Sequence, residues 1–95
     1  MGREKVLKLL DSLGTQLTRS LEGPCLDPSD RERLGREAHA MVSMAGMLGF
    51  IELSGLCSEV EQACRGGLDL ELFLARVRET RGTTLRMIAA MAEAA

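Results

Sequence analysis

His39 is the only histidine in a chain of 95 residues, and it sits in the run Ala38-His39-Ala40-Met41-Val42-Ser43-Met44-Ala45-Gly46-Met47-Leu48-Gly49. Near pH 7 an unperturbed imidazole is largely neutral, so one ring nitrogen keeps a lone pair and can act as a nucleophile. At about 100° per residue, Leu34, Ala38, Met41, Ala45 and Leu48 form one narrow apolar stripe, and His39 points roughly 140° away from its centre. The imidazole is therefore expected on the water-facing side of an amphipathic helix. Gly35, Arg36, Ser43 and Gly46 share its face one and two turns away, so little side chain surrounds it. A glycine inside a helix costs about 0.8–1 kcal/mol relative to alanine. Gly35 and Gly46 thus point to something other than helix formation, and close approach of another molecule is the natural reason.

This constellation resembles the central helix of the histidine-containing phosphotransfer (HPt) domains of bacterial two-component phosphorelays. Ala38 and His39 match the family pattern, Met41 stands for its leucine, and Ala45, Gly46, Leu48 and Gly49 fall where it has small or apolar residues. Leu53, Leu56, Cys57 and Glu61 look like the family's next helix, so the likeness covers about residues 34–64. What the resemblance implies is a phosphoryl carrier that is not itself an enzyme. A nitrogen of His39, expected to be the distal Nε2, attacks the aspartyl phosphate of a response-regulator receiver and later passes the group to another receiver. No cofactor is implied on this chain, because the receiver supplies the magnesium. A hybrid histidine kinase is a further partner class.

Two positions depart from the family pattern. Val42 stands where the family has a lysine three residues after the histidine, and Ser43 stands where it has a glycine. Ser43, one turn from His39, is a candidate hydrogen-bond donor to a phosphoryl oxygen, and Arg36, one turn the other way, is a candidate source of positive charge. The alternative is an HPt-like adaptor or antagonist that binds a receiver or kinase without taking phosphate. A kinase dimerisation domain is disfavoured, since Ala40 rather than an acidic residue follows His39. The docking face is expected on the outward side of the second helix and the adjoining side of the third, with Gly35, Gly46, Met47 and Phe50 neutral, and Arg31 and Arg36 selecting an acidic rim. Phe50 has a competing reading as a side chain packed under the helix junction.

The elements that must position these residues are all helical. Leu, Ala, Met, Glu and Arg dominate, aromatics are 2%, and hydrophobic residues are 45%, which favours helix over strand in a folded chain. The first helix is expected over about residues 4–21, with Val6, Leu10, Leu13, Leu17 and Leu21 as its core stripe, stopped by Gly23-Pro24. Ser29 and Glu32 form a capping-box signature for the second helix, which closes at Leu48-Gly49. A third runs over about 50–65, buries Leu53, Leu56, Cys57, Val60 and Cys64, and breaks at Gly66-Gly67. Asp69 caps a fourth that runs to about Ala92, with a bend expected near Gly82-Thr83-Thr84. Four such helices on short loops make an all-α, antiparallel up-down four-helix bundle, one domain spanning 1–95.

Several function classes drop out. Net charge is −2, so no basic field attracts nucleic acid. No apolar run is long enough to cross a bilayer and no signal peptide opens the chain, so a cytoplasmic protein is expected. The Met1-Gly2 opening lacks the Ser or Thr at position 6 that myristoylation asks for, having Val6. There is no phosphate-binding glycine loop and no metal-ligand spacing. Cys25, Cys57 and Cys64 read as free thiols buried as small hydrophobes, and the six methionines as core filler, with Met44 and Met47 near the rim of the His39 face.

Overall fold

A computed structural model describes residues 2–67 and 69–94, so the reading of the Met1-Gly2 opening lies outside the described residues. Four helices follow in order: α1 (Arg3–Arg19), α2 (Pro28–Met47), α3 (Ile51–Gly66) and α4 (Leu70–Ala94). The tight α2–α3 connection is built by Gly49, whose φ of 89° satisfies the left-handed position that ends a helix. Gly67, at φ 69°, does the same after α3. Both turns reverse the chain, so α2, α3 and α4 run alternately up and down. The site of Gly14 on α1 faces Leu85 and Ile88 on α4, while Ser20 at the other end reaches Arg81. All four helices are therefore antiparallel to their neighbours in an elongated bundle of 42 × 21 × 19 Å.

The α2–α3 hairpin is the most extensively packed pair, and α1 has the least contact with α2. One core joins Leu10, Leu13 and Leu17 of α1, Leu34, Ala38 and Met41 of α2, Leu53, Cys57 and Val60 of α3, and Leu70, Leu74 and Val77 of α4. Met41 is fully buried, whereas Met47, Met87 and Met91 are exposed, so methionine fills the core at some positions and covers the surface at others. Val6 is also exposed, and Leu48, Leu56 and Cys64 are half-buried at the margin of the stripes assigned to them.

The cap of α2 lies two residues earlier than expected. Asp27 is the N-cap, its Oδ1 accepting from the Asp30 N–H at 2.8 Å, and Asp30 Oδ2 accepts in return from the Leu26 N–H at 3.2 Å. Pro28 decides the register: it has no N–H to satisfy and its fixed φ suits the first helical position. Glu32 then pairs with Arg36 at 3.3 Å instead of closing a box with Ser29.

α1 stops at Arg19, short of Leu21. Leu21 adopts φ 64°, rare for a residue with a Cβ, yet its side chain is fully buried. Asp69 caps α4 as expected, accepting from the Glu71 N–H at 3.0 Å. α4 runs unbroken through Gly82, with the Thr84 hydroxyl donating to the Thr80 carbonyl at 2.9 Å.

Candidate functional site

The apolar stripe of α2 seats Leu34, Ala38, Met41 and Ala45 in the core. That anchoring sends His39 outward, and its side chain is 70% exposed. The ring is not loose. Nδ1 lies 2.6 Å from Glu61 Oε2 on α3, and Glu61 is itself largely covered. An ionised carboxylate can only accept, so this pairing places the ring proton on Nδ1 and leaves the lone pair on Nε2. Arg65, one turn further along α3, donates to the same Oε2 at 3.0 Å. One oxygen therefore joins the imidazole of α2 to a guanidinium of α3.

The glycines expected to admit another molecule admit α3 instead. A Cβ at Gly35 would stand 3.4 Å from Cys64 Cβ, and one at Gly46 would stand 3.3 Å from Ser54 Oγ. Ser54 is held there by donating to the Val42 carbonyl at 2.9 Å. These contacts let α3 ride close enough for Glu61 to reach His39. Gly46 thus belongs to the helix contact and not to an open docking face. Phe50 is also withdrawn from that face: it is the N-cap residue of α3, its side chain is buried in the core, and its N–H donates to the Ala45 carbonyl at 2.9 Å.

Met47 is 71% exposed and Ile51, just across the turn, 72%, so the tip of the α2–α3 hairpin carries an exposed apolar pair. Ile51 was not among the sequence candidates.

On the other side of His39 a groove of about 720 Å³ runs between the first half of α2 and the end of α3. Gly35 and Cys64 line it, and Arg31, Arg36 and Arg65 surround it. Arg31 donates to the Ala63 carbonyl at 2.7 Å, and Arg36 is drawn by Glu32 toward the start of α2. Ser43 is exposed one turn after His39. Val42 turns inward against the core, so the position three residues after the histidine brings no charge to the surface.

Burial pushes the Cys57 thiol up to about 12. Cys64 is raised too, mainly by burial, with the Arg31 cation pulling the other way. The three cysteines are free, Cys57 buried and Cys25 and Cys64 half-buried.

Sequence reasoning placed Glu61 on the right helix but gave it no part in the chemistry, and it passed over Arg65. The signal was available in the turn: folding the chain back at Gly49 brings position 61 level with position 39. Among the described residues, no helix is long and apolar enough to cross a membrane. No match was found among curated proteins or among solved structures. A family model for the Hpt domain, however, matches residues 3–94, nearly the whole chain. With an antiparallel four-helix bundle that presents a lone histidine on its second helix, the chain belongs to the Hpt domain family of phosphotransfer carriers.

Proposed function

We propose that this chain is a cytoplasmic phosphorelay carrier in which His39 Nε2 takes a phosphoryl group from a receiver aspartyl phosphate and yields it to another receiver. The observation that carries this reading is the 2.6 Å contact between His39 Nδ1 and Glu61 on an otherwise exposed ring. Nε2 attacks phosphorus, the N–P bond forms, and the P–O bond to the partner's aspartate breaks to leave its carboxylate. The ring keeps its Nδ1 proton and becomes a cation, and the Glu61 carboxylate stabilises that charge. In the return step the same proton keeps the imidazole a good leaving group. Magnesium and the remaining phosphoryl-binding groups belong to the receiver. Met47 and Ile51 offer it apolar contact, and Arg31 and Arg36 favour an acidic rim.

The second reading is a receiver- or kinase-binding adaptor that takes no phosphate. The inward turn of Val42 favours it, because the usual cation beside the phosphoryl group is missing. Incubation with a phosphorylated receiver separates the two. A carrier acquires an acid-labile, alkali-stable label that His39→Gln abolishes. A protein that binds the receiver and stays unlabelled is the adaptor.

A further inference from the structure

We propose that Arg65, on α3, supplies the phosphoryl-binding charge that Val42 fails to supply on α2. The inference rests on the carrier reading and identifies which cation of this chain serves it.

Before transfer the cluster is balanced, with a neutral ring, the Glu61 carboxylate and the Arg65 guanidinium. Transfer brings a dianionic phosphoryl group to Nε2 and leaves the ring a cation paired with Glu61, so the cluster gains one net negative charge, carried on the phosphoryl oxygens. A cation within reach is needed, and three arginines surround the groove.

Their present partners tell them apart. Arg31 is committed to the Ala63 carbonyl at 2.7 Å, near the end of α3. Arg36 is on the same helix as His39, but Glu32, seven residues before the histidine, draws its guanidinium away along α2. Arg65 is drawn the opposite way, because the carboxylate it binds is the one that touches the imidazole. Its side chain is 76% exposed, so nothing packs it in place. A guanidinium has five N–H donors. Arg65 can therefore keep one on Glu61 and turn others onto phosphoryl oxygens in charge-assisted bonds. Gly35 contributes by absence, since its bare backbone lets the end of α3 lie close to α2.

The test uses the intact chain and phosphoramidate as a small phosphoryl donor, so that no partner interface enters. Phosphorylation of His39 is followed by 31P NMR, and decay of the N–P signal is timed. The expected result is that Arg65→Ala loses the phosphoryl group about fivefold faster than wild type, with Arg65→Lys partly restoring the lifetime and Arg86→Ala, an exposed arginine on α4, staying within about twofold. The 15N shifts of the unphosphorylated ring are recorded alongside and are expected to keep the Nδ1–H pattern in Arg65→Ala. Wild-type lifetime in Arg65→Ala overturns the assignment while the carrier reading stands. A ring that changes tautomer also overturns it, since Arg65 would then act by holding Glu61. Failure of wild type to take any phosphate at His39 overturns the carrier reading and this assignment together.

Discussion

Glu61 decides which nitrogen of His39 reacts. With the carboxylate in place, Nδ1 carries the proton and Nε2 faces solvent as the free base; without it, both tautomers populate and Nε2 is no longer held as the free base. Glu61→Ala is expected to slow transfer from a phosphorylated receiver by roughly fivefold to tenfold, modest because the ring is exposed and solvent screens the lost charge. Single-turnover transfer measures the rate, and 15N shifts of the ring report the tautomer. A variant with wild-type rate and a mixed tautomer would separate ring orientation from catalysis. The nucleophile was legible in the sequence because an apolar stripe fixes which way a helical residue points. Its partner was not, because Glu61 is 22 positions away and becomes a neighbour only when the turn is placed. Cys57 behaves differently from the other thiols for a related reason. In the folded protein it keeps its proton up to about 12, against an ordinary value of 9.0. The unfolded chain releases that proton first, so the contribution of the buried thiol is fully present below pH 9 and is lost as pH rises through 12. Denaturant midpoints measured from pH 8 to 11 are expected to fall more steeply in wild type than in Cys57→Ala, and iodoacetamide is expected to label Cys25 and Cys64 well before Cys57.

At the level of elements, the glycines of the α2–α3 hairpin divide into two kinds that the sequence alone does not distinguish. Gly46 touches Ser54, whose hydroxyl is tied to the Val42 carbonyl, so an added methyl group has to displace a bonded side chain. Gly55, on the exposed side of α3, has open space where its Cβ would be. Gly55→Ala is therefore expected to stabilise the protein by about 0.8–1 kcal/mol through helix propensity alone. Gly46→Ala is expected to forfeit that gain and destabilise, and the double variant Gly46→Ala with Ser54→Ala to recover it. Thermal unfolding of the four proteins checks the set, and a Gly46→Ala as stable as Gly55→Ala would show that α3 tolerates a retreat from α2. The hairpin itself was legible, because Gly49 and the Gly66-Gly67 pair punctuate two periodic stretches. The N-terminus of α2 was not. Asp27, Ser29 and Asp30 all suit a cap, and what selects Asp27 is Pro28, a backbone constraint that a side-chain signature overlooks.

Across the whole molecule, the bundle has one thinly packed partner and a polar device that holds it. α1 makes little contact with α2 and joins it through residues 20–27. Those residues leave carbonyls at the end of α1 that no helix satisfies, and arginines from other elements take them. Arg78 of α4 donates to the Leu21 and Gly23 carbonyls, both at 2.9 Å, and Arg81 to Ser20 at 2.7 Å. From α2, Arg33 takes the Glu22 carbonyl at 2.9 Å, and Glu37 accepts the Leu21 N–H at 2.8 Å. The left-handed Leu21 is stable because two elements hold it, α2 through Glu37 and α4 through Arg78, and its side chain is buried in the core. None of this could be read from the sequence, where Arg33, Arg78 and Arg81 look like ordinary polar cover on helical faces. Since packing alone ties α1 weakly, cutting the clamp should loosen that helix before the rest. Arg78→Ala removes two charge-assisted bonds and is expected to destabilise by about 1–3 kcal/mol, a melting shift of several degrees in a domain this size. The loss is expected to be local first: amide hydrogen exchange should quicken in α1 and the following loop while the α2–α3 hairpin, and with it the His39–Glu61 contact, keeps its protection. Exchange that quickens equally in all four helices would mean that α1 is an inseparable part of the cooperative unit, and that the clamp stabilises the site it does not touch.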